Sequence, residues 1–322
     1  MSTLNEKAMG CMLGGAFGDS VGAPLEFMRR RQIGKEFADK DLADPPLGFP
    51  GRGNGSITDD TQQALCVARG LTHGMRRGGQ DKVLTSDIWF QLRQWHALQL
   101  EDKTERRSPG STSMATLGLG RPGTIDDPVN SSPSCGAVMR AHPIGILCAG
   151  DPERAFKLGC KVGALTHGHP DAYAPSGALA AMVAILLAND KATVTEAAQV
   201  TLEMIQSMTP DAVRTIKLLR MAIKAGLVTT EVELGCGATG WTGDEALAMG
   251  VFAARKHEDD LKAAVVFASV HDGDSDSTAS IAGALVGAKL GASAIPLPWR
   301  DTLEHADELK QRARELADLS QR

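Results

Sequence analysis

Apolar residues recur at helical spacing along most of this chain. After Thr58 they fall at Ala64, Leu65, Ala68 and Leu71, which places them on one face of a helix. Sustained alternation of apolar and polar positions is not found, so we expect few strands. Similar helical stretches cover residues 83–98, 136–149, 152–165, 175–188, 194–208, 212–225, 243–256, 258–269, 277–291 and 301–319. The pattern predicts an all-α protein.

The segment from Ala8 to Ala23 is weakly apolar and has two interpretations. A signal peptide opens with a basic region and has an uninterrupted apolar centre. Here Glu6 precedes the segment and Asp19 interrupts it. We therefore predict a buried helix, and we find no other segment that is long and apolar enough to span a membrane.

Glycines recur every four residues within two of the predicted helices. The first stripe comprises Gly10, Gly14, Gly18 and Gly22, and the second comprises Gly283, Gly287 and Gly291. A glycine inside a helix costs about 1 kcal/mol relative to alanine, so a stripe needs a compensating reason. Close backbone contact with a neighbouring helix is one such reason. The two striped helices either meet each other or pack against unrelated elements.

Composition is consistent with a helical fold and narrows the class of protein. The chain has 322 residues and no low-complexity linker, so we predict a single domain over residues 1–322, a compact orthogonal helical bundle. Aromatic residues make up 4%, which favours closely packed helices over a sandwich or barrel. The net charge is −5 and Arg29–Arg31 is the only basic run, so nucleic-acid binding is not indicated.

The cysteines are widely spaced and form no C-x-x-C pair. Most lie among apolar residues, which is typical of reduced thiols in the core of a cytoplasmic protein. We expect such a protein here, and we expect it to be a monomer without a membrane partner. The six positions are Cys11, Cys66, Cys135, Cys148, Cys160 and Cys236.

Two acidic clusters lie near opposite ends of the chain, at Thr58–Thr61 and Asp272–Ser277. Carboxylates this close repel one another, and their burial requires a counter-charge. Aspartate and hydroxyl oxygens suit hard cations such as Mg²⁺ or Mn²⁺. Each cluster alone is also an ordinary capped helix start, and the second matches an EF-hand loop only loosely. Their joint presence favours a shared metal site.

A proline- and glycine-rich segment, Asp44–Gly55, leads directly into the first acidic cluster. Its composition predicts a long loop. Loops of this kind often carry function, so we expect a lid or a wall of a substrate site.

Three stretches together resemble one known family in order and in separation. They are Gly14–Phe27, Ile57–Thr61 and Gly273–Ser277 with the following Ala282–Ala284. The resemblance is to the ADP-ribosylglycohydrolase family, which includes dinitrogenase-reductase-activating glycohydrolase and the ADP-ribosylarginine hydrolases. It implies an all-helical fold with a central cleft that binds two divalent cations, Mg²⁺ or Mn²⁺.

The resemblance also implies roles for residues of the acidic clusters. Glu26 and Asp60 are the expected catalytic residues, with Glu26 acting as general base or proton relay beside the metals. The implied metal ligands are Thr58, Asp59, Asp60, Asp274, Asp276 and Ser277. Ser277 stands where the family usually has threonine, and Asp272 stands where it usually has glycine.

Other positions correspond to the substrate-binding part of the family's cleft. The stretch beginning at Ser134, Cys135 and Gly136 resembles the family's small-residue loop and helix start, which holds ADP-ribose. His167 corresponds to a residue that lines the ribose end of the pocket. The spacing of His167 and His169 invites a zinc interpretation, but no further ligand cluster accompanies the pair. Residues 108–112 read Ser-Pro-Gly-Ser-Thr where some arginine-specific members have an aspartate before Gly-Asn-Thr.

The implied activity is metal-dependent removal of ADP-ribose from modified proteins, with arginine as the expected attachment site. Water would attack the anomeric carbon of the distal ribose, and ADP-ribose would be the product. One alternative is a catalytically inactive ADP-ribose-binding or crystallin-like structural relative. Another is a two-metal phosphohydrolase, in which the carboxylates would clamp a phosphate.

Overall fold

The computed structural model describes residues 3–226 and 237–322. Within these ranges the chain forms fifteen α-helices and three 3₁₀ turns, with two isolated β-bridges and no strand. The prediction of an all-α fold is therefore confirmed. The helices are α1 (Leu4–Gly22), α2 (Arg30–Glu36), α3 (Asp59–Arg76), α4 (Asp81–Glu101), α5 (Ser111–Gly118), α6 (His142–Leu147), α7 (Pro152–Ala164), α8 (Pro170–Ala188), α9 (Val194–Met208), α10 (Val213–Lys224), α11 (Gly243–Lys256), α12 (Leu261–Ser269), α13 (Ser275–Leu290), α14 (Leu297–Thr302) and α15 (Ala306–Ser320).

Several helices begin where side chains satisfy the free backbone N–H groups of the first turn. Thr58 caps α3, because its hydroxyl accepts a hydrogen bond from the backbone N–H of Asp60 at 3.1 Å. Thr193 and Glu196 form a reciprocal capping box at the start of α9. Asp260 caps α12 by accepting from the N–H of Ala263. These caps depend on residues close in sequence and fix where the helices begin. Helical periodicity, which is also local, predicted most of the helices correctly.

Two predicted helices are broken in the structure. The stretch 136–149 forms a 3₁₀ turn at Cys135–Ala137 and then the short helix α6. Pro143, near the start of α6, has no N–H with which to continue an earlier helix. The stretch 301–319 is divided between α14 and α15, because His305 adopts a left-handed φ of 61° and the N–H of Glu304 donates to the carbonyl of Gly55.

Other differences concern the extent of helices. The short helices α2 and α5 were not predicted, and α8 begins at Pro170 rather than at residue 175, so that Pro175 lies inside it. We also expected no segment that is long and apolar enough to span a membrane, and this expectation was wrong. Helix α8 is long and apolar enough to cross a membrane, but 89% of its apolar window is buried within the protein, as in a core helix.

The glycine stripes face each other where α1 packs against α13. A Cβ atom added to Gly14 would lie 2.3 Å from the carbonyl oxygen of Gly283, and one added to Gly10 would lie 2.3 Å from that of Gly287. The helices therefore touch backbone to backbone, as the stripes predict. Gly291 is an exception within its stripe, since it ends α13 with a φ of 87°. This contact joins the two ends of the chain.

We expect Gly287→Ala to destabilise the protein, although the same change usually stabilises a helix. The new methyl group would lie 2.0 Å from the carbonyl oxygen of Gly10, and backbone cannot move aside cheaply. Overpacking of this kind commonly costs about 1–3 kcal/mol. Gly18→Ala should also destabilise the protein, because its Cβ would lie 2.1 Å from the carbonyl oxygen of Ala279. Chemical denaturation of the purified variants measures both effects.

Gly34 provides a matched control within α2. A Cβ atom there would meet nothing within 4 Å, so Gly34→Ala should leave the free energy of unfolding unchanged or raise it by up to about 1 kcal/mol. Equal stability of Gly287→Ala and Gly34→Ala would contradict the packing of α1 against α13.

The cysteines whose surroundings the structure describes are free and buried, as predicted for reduced core thiols. They are Cys11, Cys66, Cys135, Cys148 and Cys160. Cys236 lies outside the described residues. Burial raises the pKa of the Cys66 and Cys148 thiols to about 12, which leaves both groups uncharged and inert near neutral pH.

Candidate active site

The two acidic clusters meet in one cavity of about 360 Å³. Direct contact between them is made by Ser277, whose hydroxyl donates to Asp60 Oδ2 at 3.0 Å across 217 positions of sequence. Helix α3 carries the first cluster and α13 the second, and both helices present their N-terminal turns to the cavity. The predicted convergence is therefore observed. The residues of the predicted site that line the cavity are Glu26, Asp59, Asp60, Ser134, Cys135, Gly136, His167, Asp274, Asp276 and Ser277.

Thr58 is the one predicted site residue that does not line the cavity. It is buried, and its hydroxyl is used as the cap of α3. The loop Asp44–Gly55 also lies away from the cavity wall; the N–H of Gly48 donates to the carbonyl of Ser20 at 2.9 Å. In this structure the loop is therefore bonded to α1 and is not a wall of the site.

Asp19 holds the first acidic cluster in place and was not predicted to do so. Its carboxylate is fully buried and accepts hydrogen bonds from the N–H groups of Thr58 and Thr61 and from the Thr61 hydroxyl. Burial raises its pKa to about 6, although these hydrogen bonds act in the opposite direction. A charged residue inside an otherwise apolar helix was the available signal, because such groups are rarely buried without partners.

Glu26 reaches the cavity from the turn that follows α1. The N–H of the next residue, Phe27, donates to the carbonyl of Gly273 at 2.8 Å, which ties this turn to the second acidic cluster. Gly273 has a φ of 143°, and a Cβ there would lie 2.1 Å from the carbonyl oxygen of Thr239. Only glycine fits this junction. Phe27 and Trp241 are both more than half exposed and lie in contact on the cavity rim, with ring centroids 5.4 Å apart and ring planes tilted by 58°.

The cavity concentrates negative charge without a cationic side chain of its own. Five carboxyl groups line it, and no lysine or arginine of the described ranges does. Burial, then the charges of Asp274 and other neighbouring carboxylates, raises the pKa of Glu26 to about 8. Burial is also the main cause that raises the pKa of Asp59 to about 8 and the pKa values of Asp60 and Asp276 well above the ordinary range. Cations bound from solution would relieve this repulsion.

The donor chemistry of the cavity fits hard divalent cations. Carboxylate and hydroxyl oxygens predominate, and Mg²⁺ keeps several waters when a protein supplies only a few ligands. Among the residues that the structure describes, no group of three or more His, Cys, Asp and Glu side chains is arranged as a ready metal site. Serine hydroxyl oxygen and water would therefore have to complete the coordination of any cation bound here.

The raised pKa values predict a pH-dependent effect of cations on stability. Asp59 and Glu26 stay protonated near pH 6 in the native protein but are ionised in the unfolded chain, so cation-free protein should lose stability between about pH 6 and pH 8. Excess Mg²⁺ or Mn²⁺ should therefore raise the melting temperature more at pH 8 than at pH 6. Thermal melts with chelator and with each cation measure this difference. Equal shifts at the two pH values would contradict the prediction.

The wall opposite the carboxylates consists of small and hydroxyl-bearing residues. Ser132, Ser134 and Thr112 form a cluster with Oγ separations of 3.0–3.3 Å, and His167 Nε2 lies 3.0 Å from Ser134 Oγ. The segment 108–113 also lines the cavity, and the N–H of Gly110 donates to Asp59 at 3.4 Å.

Two expectations for this wall need correction. Ser134–Gly136 does not begin an α-helix, and the N–H of Cys135 is already bonded to the carbonyl of Trp241, so this N–H is not free for a pyrophosphate. Cys135 instead donates from its thiol to Asp274 Oδ2 at 2.9 Å.

His169 is structural, as the sequence allowed, because its Nδ1 caps α8 by accepting from the N–H of Asp171.

Fold and cavity define an all-helical protein whose acidic cleft is built from both ends of the chain. The family model described as ADP-ribosylglycohydrolase matches residues 1–322, and the chain belongs to that family. It is accordingly a hydrolase that acts on glycosyl bonds of ADP-ribosylated substrates.

Individual relatives are distant but cover much of the chain. An uncharacterized protein of Archaeoglobus fulgidus is 26% identical over 99% of this chain and 98% of its own length. The ADP-ribosylarginine hydrolase Tri1 of Pseudomonas putida is 26% identical over 97% of this chain and 78% of its own. The ADP-ribosyl-[dinitrogen reductase] glycohydrolase of Rhodospirillum rubrum is 27% identical over 52% and 53%.

Structural similarity extends over the same length. A chain from an ADP-ribosylglycohydrolase-related protein complex aligns with a TM-score of 0.71 over 99% of this chain and all of its own, at 22% identity. At that identity the comparison shows a shared fold.

Proposed function

We propose that this protein releases ADP-ribose from ADP-ribosylated arginine side chains of proteins, using two divalent cations, Mg²⁺ or Mn²⁺. One observation carries the proposal. Five carboxylates from both ends of the chain line a single cavity in a member of this family, and no cationic side chain of the described residues faces them. Arginine as the attachment site is supported by the ADP-ribosylarginine hydrolases among the relatives.

The carboxylates suit hydrolysis at an anomeric carbon. Positive charge develops on the ribose in the transition state, and fixed negative groups stabilise such charge in a site that excludes water. Burial and neighbouring carboxylates raise the pKa of Glu26 to about 8 without cations, and bound cations would lower it, so that Glu26 can accept a proton from attacking water or pass one to the leaving group. The hydroxyl wall with Ser134 and His167 would hold the ADP-ribose, with His167 at its ribose end.

Asp59, Asp60, Asp274, Asp276 and Ser277 are the residues of the cavity that would hold the cations. Bound divalent cations supply Lewis-acid and templating chemistry for the ribose hydroxyls and the water. Thr58 joins this set only if its hydroxyl binds a cation while it caps α3.

The test is incubation of the protein with peptides ADP-ribosylated on arginine or on serine, with and without chelator. Release of free ADP-ribose from the arginine peptide, abolished by chelator and restored by Mg²⁺ or Mn²⁺, is the expected result. Release from the serine peptide alone would contradict the arginine assignment. Binding of ADP-ribose without release from either peptide would identify an inactive relative, and release of AMP would identify a phosphohydrolase.

A further inference from the structure

Arg140 is a fully buried guanidinium group whose role none of the observations above accounts for. It does not line the cavity, and its hydrogen bonds go to neutral partners, Gln63 Oε1 and Thr166 Oγ1, the latter at 2.6 Å. Its Nε has no hydrogen-bond partner among the residues that the structure describes. Burial lowers its pKa only to about 10, so it stays charged at neutral pH. A buried cation with so few partners is costly, which points to a use.

The charge of Arg140 fixes the direction of the hydrogen bonds around it. A guanidinium group only donates, so the Thr166 oxygen must accept from it. The Thr166 hydroxyl then has one hydrogen to place, and His167 Nδ1 lies 2.8 Å away. If Nδ1 carried a hydrogen instead, the Thr166 hydroxyl hydrogen would lack this acceptor in a buried site. His167 therefore accepts at Nδ1 and carries its hydrogen on Nε2.

A doubly protonated His167 is also disfavoured. The ring is completely buried, and burial together with the charge of Arg140 lowers the pKa of His167 to about 3. The neutral ring with its hydrogen on Nε2 is consequently the form that this arrangement stabilises.

The tautomer of His167 decides whether the Ser134 hydroxyl donates a hydrogen bond to a ligand or accepts one from it. With a hydrogen on Nε2, His167 donates to Ser134 Oγ at 3.0 Å, and Ser132 Oγ donates to the same oxygen at 3.2 Å. Both lone pairs of Ser134 are then occupied, and its one hydrogen is donated to Thr112 Oγ1 at 3.3 Å, an acceptor that an oxygen of the ligand would have to replace. With the hydrogen on Nδ1, Ser134 would donate to the bare Nε2 and present a lone pair to the cavity.

We propose that Arg140 is a positioning residue: through Thr166 it holds His167 with its hydrogen on Nε2 and so makes Ser134 a hydrogen-bond donor toward acceptor oxygens of the ligand. The tautomer follows from the geometry alone. The ligand half of the proposal rests on the proposed function, with ADP-ribose as the probe.

The tautomer is measured directly by nitrogen-15 NMR of histidine-labelled protein, with the His167 signals assigned by their loss in His167→Gln. We expect a protonated Nε2 and an unprotonated Nδ1 in the wild type. Arg140→Met should populate the second tautomer, because the Thr166 oxygen is then free to accept from Nδ1–H, whereas Thr166→Ser should keep the first. Should Arg140→Met misfold, the tautomer of the wild type and a partial shift in Arg140→Lys decide.

Binding of ADP-ribose provides the second measurement. Arg140→Met should weaken it about tenfold, the usual size of a lost hydrogen bond, whereas Thr166→Ser should retain it. A wild-type His167 with its hydrogen on Nδ1, or an unchanged Nε2 hydrogen in Arg140→Met, would overturn the proposal. A wild type that shows the expected tautomer but binds no ADP-ribose supports the assignment of Arg140 and contradicts the proposed function.

Discussion

Replacement of Asp60 or Asp274 by alanine should abolish hydrolysis while the helical fold is retained. Both side chains line the cavity, and each belongs to a different acidic cluster. Their removal should also weaken cation binding, which calorimetry with Mg²⁺ or Mn²⁺ measures. Without cations the variants should be no less stable than the wild type at pH 8, apart from lost capping, because repulsion between buried carboxylates is reduced.

Asp274→Ala removes both a negative charge from the cavity and the N-terminal cap of α13. Other variants separate these two effects. Asp274 accepts from the N–H of Ser277 and so caps α13, and loss of a cap costs about 0.5–2 kcal/mol. Asp274→Asn keeps a capping oxygen but removes the charge. Asp260→Ala removes the equivalent cap of α12 outside the cavity and should retain activity. Wild-type cation affinity in Asp60→Ala or Asp274→Asn would remove that residue from the proposed site.

Glu26→Gln should lower turnover by about 10²–10⁴-fold, which is typical of the loss of a general acid–base group. The change keeps the shape of the side chain, so ADP-ribose affinity should change far less than turnover. Single-turnover release of ADP-ribose measures the chemical step, and direct binding measures the affinity.

Glu36 at the exposed end of α2 is a suitable control, and Glu36→Gln should leave both quantities at wild-type values. The opposite pattern in Glu26→Gln, near-normal turnover with a collapse of binding, would make Glu26 a residue that positions the ligand and would remove its proposed role in proton transfer.

Local patterns predicted much of the fold because they report interactions close in sequence. Helical periodicity located α7, α9, α10 and α11 within a residue at either end. The glycine stripes went further, since their cost inside a helix implied a close neighbour. They predicted close backbone contact with some neighbouring helix, and the structure shows that α1 and α13 supply this contact for each other.

The remaining features depend on contacts that a sequence pattern does not encode. The break at His305 arises because Glu304 bonds to Gly55, about which the local sequence says nothing. Asp19 and Arg140 each looked like an isolated charge among apolar residues. Their roles become visible only when the partners, Thr61 for Asp19 and Thr166 for Arg140, are brought alongside by tertiary packing.

The meeting of α1 with α13 also sets an order of events during synthesis. At roughly 5–20 residues per second, the 217 positions between Asp60 and Ser277 take roughly 10–40 s to translate. Throughout that interval the glycine face of α1 lacks α13 as its partner, and half of the acidic cavity has not yet been synthesised. We expect the nascent chain to be a client of chaperones during this delay. Ribosome-bound chains arrested before residue 274 should lack cation-dependent protection from proteases, and chains long enough to release α13 from the ribosome should acquire it.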